Sequence, residues 1–126
     1  MIFGIGLDLV EVARVEESLA RFGERFQKRM FTELEREYCN RLPHPPLHYA
    51  ARFAAKEAFV KALGTGMSNG ISWKEVGVAN LPSGQPELQI TGRALELLSK
   101  RQIVSTHVTL SHTHSHAAAV VVLEKF

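Results

Sequence analysis

The sequence predicts an α+β fold in which a small mixed or antiparallel sheet packs on a central buried helix. Three observations predict it. The stretch IFGIGLDLV at 2–10 alternates two sets of residues with period two, and HVTL and HAAAVVVL near the other end read as further strands. Val12, Val15, Leu19, Phe22, Phe26 and Met30 instead recur every three or four residues, the period of a helix. The segment RFAAKEAFVKALG at 52–64 is apolar nearly all round, the mark of a buried helix.

Taken in order, the first strand places Phe3, Ile5, Leu7 and Leu9 on one face and Ile2, Gly4, Gly6, Asp8 and Val10 on the other. The two glycines leave room beside Asp8 for another element to approach closely. A helix is expected over about 11–30. Thr32-Glu33-Leu34-Glu35 has the form of a capping box, so a second helix starts there and runs to about Arg41. Pro43, Pro45 and Pro46 break it and form a loop. The buried helix extends from about Leu47 to Leu63, with Gly64 placed to end it. Ser68-Asn69-Gly70 is a turn, and residues 75–80 and 87–90 are strands joined by LPSGQP. TGRALELLSKR at 91–101 is a short helix with Thr91 as its cap and basic residues in its last turn. HVTL and HAAAVVVL close the chain as a hairpin around SHTHS.

With 126 residues and no linker, repeat or low-complexity tract, the expectation is a single domain spanning 1–126. Hydrophobic residues make up 45% and charged residues 22%, a globular balance that excludes a disordered chain. No apolar run approaches the roughly 18 residues of a membrane span, and the N-terminus lacks the marks of a signal peptide. The expected address is the cytoplasm. A single cysteine, Cys39, excludes an internal disulfide and any multi-cysteine zinc site, and its role is packing. The net charge of +2 favours acidic partners only weakly and does not point to nucleic acid.

Four groups of residues bear on chemistry. Asp8 lies between Leu7 and Leu9, where an ionised carboxylate needs compensation. It either caps the following helix or ligates a hard cation. Glu57 and Lys61 stand one helical turn apart. They form either an ordinary surface ion pair or, given their apolar neighbours, part of a site. Two carboxylates in such settings suit Mg²⁺, which takes oxygen ligands, keeps several waters and commonly bridges to substrate phosphates. Lys61 would then meet phosphate oxygens, with Lys56 or Arg52 extending the cationic surround.

The third group is histidine-rich: His107, His112, His114 and His116 include an HxHxH motif. They can be solvated, hold a transition metal, or supply one phosphate contact. In the fourth, Arg14, Arg21, Arg25, Lys28 and Arg29 share a sector of roughly 100° on the first helix, with Glu16, Glu17 and Glu24 outside it. That face is either solvated or a dock for an acidic partner.

GIGLDLVEV near the N-terminus, RFAAKEAFVKALGTG in mid-chain, SGQPEL between the short strands and the final HVTLSHTHSHAAAVVVLE occur together in one order. This pattern resembles the holo-acyl-carrier-protein synthase family, the small bacterial 4′-phosphopantetheinyl transferases, over essentially the whole chain. The resemblance implies the 4′-phosphopantetheinyl transferase fold and transfer of phosphopantetheine from coenzyme A to a carrier-protein serine, releasing adenosine 3′,5′-bisphosphate, in fatty-acid synthesis. It implies that Asp8 and Glu57 hold Mg²⁺ against the pyrophosphate. Glu57, directly or through a metal-bound water, is the implied base for the serine, and Lys61 stabilises charge on the β-phosphate or leaving group.

Arg52, Lys61, Gly64, Pro86, Ser111, His112 and Thr113 match positions lining the coenzyme A site. Arg14, Arg21 and Arg25 match the helix that docks the acidic acyl carrier protein. Members of the family are homotrimers with active sites between subunits. His114 and His116 receive no role from the resemblance. Two competing expectations are a transition-metal hydrolase built from Asp8 and the HxHxH cluster, and a non-catalytic module whose basic helix binds an acidic protein.

Overall fold

Gly4 and Gly6 lack side chains, and the chain is built on that absence. The computed structural model describes residues 1–126. Its first strand, β1 (Ile2–Glu11), runs antiparallel to the last, β5 (His116–Lys125), which pairs on its other edge with β4 (Ile103–His112). A helix of 19 residues, α4 (Pro45–Leu63), lies across one face of this three-stranded sheet. A Cβ on Gly6 would run into the carbonyl of Ala58, and one on Gly4 into the carbonyl of Ala62. Backbone therefore meets backbone. The helix reciprocates with small residues, and Ala51, Ala54, Ala55, Ala58 and Ala62 are all buried.

Between β1 and α4 the chain forms α1 (Val12–Phe22), α2 (Glu24–Met30) and α3 (Glu33–Arg41). The single helix expected over about 11–30 is thus two. Gly23 has φ 55°, in the left-handed region that ends a helix, and Phe22 and Phe26 keep the apolar spacing across the break. The capping box is present: Thr32 Oγ1 accepts from the Glu35 amide at 3.2 Å, and Glu35 Oε1 accepts from the Thr32 amide at 2.9 Å. The proline loop is shorter than expected. Pro45 and Pro46 begin α4, at positions whose amides would have no helical partner in any case.

After α4, capped by Gly64 at φ 85°, a 3₁₀ turn (Trp73–Glu75) leads into the hairpin of β2 (Val76–Asn80) and β3 (Pro86–Ile90). Then comes α5 (Gly92–Lys100). Thr91 stands at its N-cap position but its side chain makes no cap bond; the Glu75 carboxylate accepts from the Arg93 amide instead. All strand pairs are antiparallel.

The face of α4 turned from the sheet holds a dry ion pair. Lys56 and Glu35 are both fully buried, with Lys56 Nζ 2.8 Å from Glu35 Oε1. The same ammonium donates to the carbonyls of Val76 at 2.8 Å and Trp73 at 3.2 Å, which uses all three of its hydrogens. Glu35 accepts from the Thr32 and Val78 amides as well. One pair therefore ties α3, α4, the 3₁₀ turn and β2 together. Removing one partner from such a pair generally costs about 3–5 kcal/mol, because the other charge is left buried. Lys56 is therefore sealed off from any phosphate, contrary to the expectation that it extends a cationic surround.

The β1–α4 approach generates a test. Gly6→Ala is expected to destabilise the chain by about 3 kcal/mol, the upper end for overpacking, because the obstructing atoms are backbone. Chemical denaturation of the variant measures it, and a loss near zero would contradict the geometry.

Candidate active site

Asp8 lies two residues beyond Gly6 on the same face of β1, so the close approach to α4 carries it to the helix. Ala58 and Ala62 face the strand, and the residues just before each, Glu57 and Lys61, project at its flank. Lys61 Nζ donates to Asp8 Oδ1 at 2.8 Å and to the Leu7 carbonyl at 3.2 Å. The Asp8 side chain is only 13% exposed, whereas that of Lys61 is 51% exposed, so the ammonium stands at the mouth of the site. The Asp8 hydrogen bond pushes the Lys61 pKa up.

Glu57 is half-buried and makes no hydrogen bond or ion pair within the chain. Burial pushes its pKa above the ordinary glutamate value and the Asp8 charge adds to this, while Lys61 partly offsets both. Asp8, Glu11 and Glu57 line one cavity of about 390 Å³ together with Arg14, Ser18, Phe26 and Phe53. This is a pocket short of positive charge. It carries three carboxylates, hard oxygen ligands, against the one guanidinium of Arg14, and the Lys61 ammonium already stands against Asp8 where a cation would be attracted. That donor set fits Mg²⁺, which needs only one or two protein carboxylates beside water and phosphate.

The basic residues flank the same cavity. Arg14 also lines a groove with Arg21 and Phe22, and Phe22 and Phe26 line a further one with Arg25 and Arg29. The break at Gly23 divides the basic face expected on one helix between α1 and α2.

The residues matched to a coenzyme A site fall into separate places. Gly64 caps α4 one turn beyond Lys61. Arg52 lies on another side of α4, 2% exposed, with Nη2 donating to Asn80 Oδ1 at 2.6 Å and its guanidinium 4.1 Å from the Tyr38 ring. Asn80 pairs with Pro86. The His48 ring meets both Tyr38 and His112 edge-on, at 6.1 Å between centroids. Burial lowers the His48 pKa, and the charges of Arg52 and His112 lower it further. Arg52, Pro86 and His112 thus gather around Tyr38, His48 and Asn80, apart from the Asp8–Glu57 cavity.

Ser111 is exposed on the outer sheet face. Thr113 organises the β4–β5 turn, its Oγ1 accepting from the Ser115 and His116 amides.

His114 and His116 line a different cavity, with His44, Glu11 and Glu16. His116 pairs with Glu11, three residues along β1 from Asp8 or about 10 Å. No three His, Cys, Asp or Glu groups are placed to hold a metal ion, so the expected alternative of Asp8 with the HxHxH cluster has no geometric basis. Cys39 is fully buried and its thiol is pushed up to about 12 by burial, in keeping with packing. Sequence reasoning missed Phe26 and Phe53 as cavity walls, and Glu35 as the partner of Lys56. The capping box was the one signal that marked Glu35.

Comparison with known proteins gives a consistent result. Residues 4–121 match the model of the 4′-phosphopantetheinyl transferase superfamily. A holo-[acyl-carrier-protein] synthase of Syntrophus aciditrophicus is 49% identical over 124 residues, covering 98% of this chain and 97% of that protein. The crystal structure of the holo-[acyl-carrier-protein] synthase from Neisseria meningitidis superposes with a TM-score of 0.92 at 34% identity, over 99% of this chain and 100% of that one. That of a Bacillus anthracis holo-(acyl-carrier-protein) synthase in complex with CoA (3′,5′-ADP) gives 0.82 at 35%, over 100% and 99%.

The electrostatics of Glu57 set a pH-dependent expectation. A carboxyl whose folded pKa is raised stabilises the fold most below the ordinary glutamate pKa, and that contribution is lost as pH rises through the folded value. At neutral pH the ionised Glu57 therefore opposes folding. Glu57→Gln is expected to raise stability near pH 7.5 by about half a kcal/mol, a small figure because solvent screens the half-exposed group. The gain should vanish near pH 4. Thermal unfolding at the two pH values checks both.

Proposed function

The chain belongs to the 4′-phosphopantetheinyl transferase superfamily, and from that premise we propose that it works as a holo-[acyl-carrier-protein] synthase. It transfers 4′-phosphopantetheine from coenzyme A to a serine of apo acyl carrier protein, in fatty-acid biosynthesis, and releases adenosine 3′,5′-bisphosphate. The observation that carries the reading at this site is an unpartnered Glu57 sharing one cavity with Asp8, whose carboxylate pairs with Lys61.

In this reading the serine oxygen forms a bond to the β-phosphorus as the bond from that phosphorus to the bridging oxygen breaks. Glu57 takes the serine proton. Having no partner within the chain leaves its oxygens free to accept. Asp8 orients Lys61, whose exposed ammonium donates to phosphate oxygens and to the departing bisphosphate. Mg²⁺, held by Asp8 and Glu57, would supply charge neutralisation on the pyrophosphate. Arg14 on the cavity wall, with Arg21 and Arg25 in the adjoining grooves, receives the acidic carrier protein, so that the serine arrives beside Glu57.

The working unit in this reading is a homotrimer of single-domain chains in the cytoplasm. Two observations support the assembly. Ile5, Leu7 and Leu9 are 61%, 61% and 66% exposed on the outer sheet face, and their partners across the ladder are Val122, Val120 and Ala118. Covering what remains exposed of each such side chain contributes about 1–2 kcal/mol. The matched coenzyme A residues are also split between two regions of one chain, which a neighbouring subunit brings together. No helix is long and apolar enough to cross a membrane.

Apo acyl carrier protein incubated with coenzyme A, Mg²⁺ and the enzyme should gain the mass of phosphopantetheine. No gain beside an active control would end this reading. Glu57→Ala should abolish turnover while the fold persists, and chelation of Mg²⁺ should do the same reversibly. Light scattering should find three chains per particle, and Leu7→Glu should yield monomers without activity.

A further inference from the structure

Glu57 has no hydrogen bond or ion pair of its own, so its position is inherited from the backbone of α4. Two contacts set the rotation of that helix. On the sheet side, Gly4 and Gly6 fix its distance from β1. On the opposite side stands the Lys56–Glu35 network, and Lys56 directly precedes Glu57. We infer that the buried Lys56–Glu35 pair is a positioning device for the transfer reaction, locking α4 so that Glu57 and the Phe53 wall face the reacting atoms.

The network reaches the cavity by a second route. Lys56 Nζ holds the Trp73 carbonyl at 3.2 Å, and the Trp73 ring stacks on Phe53 with centroids 5.3 Å apart and planes at 26°. Phe53 lies one turn before Glu57 and lines the cavity. The Lys56 ammonium also lies 5.4 Å from the Phe31 ring, which packs edge-on against Phe26, the other aromatic wall. Both aromatic walls and the carboxylate therefore take their places from one polar hub. A fully satisfied buried network has discrete geometry, which apolar packing at the same place would not impose. Lys56 and Glu35 touch no substrate. They act through Glu57, Phe53 and Phe26.

The inference rests on the transferase reading, and the test separates the two. In the variant Lys56→Met with Glu35→Gln, both charges go, and the glutamine oxygen still accepts from one of the two amides that Glu35 serves. Folding is checked by circular dichroism; should the double variant not fold, the second variant is Trp73→Leu, which leaves both charges paired and removes the ring through which the network reaches Phe53. The expected result is a fall in kcat of at least about tenfold with KM for coenzyme A nearly unchanged, because small misplacement of a catalytic group slows the reacting step. In a Glu57→Asp background, where the shorter side chain keeps the carboxylate but already displaces it, the same change should cost clearly less. A folded variant with full kcat, or losses that multiply across the cycle, overturns the proposal.

A readout independent of activity is the nuclear Overhauser contact between the Phe53 and Trp73 rings. It should weaken in the variant, and an undiminished contact likewise overturns the proposal. Failure of the wild-type protein to modify carrier protein would instead overturn the transferase reading, with the ring contact still deciding whether the pair sets this wall.

Discussion

Everything at this site depends on how closely β1 lies against α4. With no side chain at Gly4 or Gly6, the strand rests on the carbonyls of Ala62 and Ala58, nearer than any larger residue would permit. That proximity lets Lys61 on the helix reach Asp8 on the strand, and puts Asp8 and Glu57 around one cavity. Elsewhere the core is ordinary: Phe31, Phe59, Leu63, Val121 and Leu123 fill it as apolar residues fill most interiors. Core packing alone would tolerate looser contact. The metal-binding and catalytic roles proposed for the two carboxylates would not.

The two lysine–carboxylate pairs on α4 are treated oppositely, and the contrast explains what each is for. Lys56 and Glu35 sit in a dry interior with every ammonium hydrogen donated and both carboxylate oxygens accepting. Such a pair is stable because it is complete, and it specifies geometry more than it adds stability. Asp8, Glu57 and Lys61 sit at a half-wet surface where two negative charges meet one positive charge. That imbalance weakens the empty fold slightly and leaves Glu57 free to engage a substrate proton or a cation. Evolved sites often carry such a local penalty, offset by the surrounding structure.

The sheet presents a similar division between inside and outside. On β5, Ala117, Ala119, Val121 and Leu123 face α4 and are buried, while Ala118, Val120 and Val122 point the other way and are only partly covered. The outward side chains continue onto β1 as Ile5, Leu7 and Leu9. A strand with two apolar faces is normally covered on both. Here one chain covers only one, and the cluster around Arg52 and His112 stands apart from Asp8 and Glu57 in the same chain. The uncovered face and the divided site both support the assembly proposed above.

Much of this was legible in the residues. The apolar surround of Glu57 and Lys61 marked α4 as buried, the glycines beside Asp8 marked a close approach, and Thr32 with Glu35 marked a helix start. Those features are local: period, composition and backbone freedom act within a few residues. The break at Gly23 was hidden because apolar spacing continued through it. The pairing of Lys56 with Glu35 was hidden because 21 residues separate them, and sequence does not encode which distant charges meet. By itself, the sequence determined that β1 has two faces and which residues lie on each. Only the tertiary structure decided that α4 is the element settled on the glycine face, and that Ile5, Leu7 and Leu9 are left uncovered by the chain itself. The reason is steric: a helix can settle against a strand at backbone distance only where the strand has no side chains, and that requirement outweighs burial of the larger apolar face within one chain.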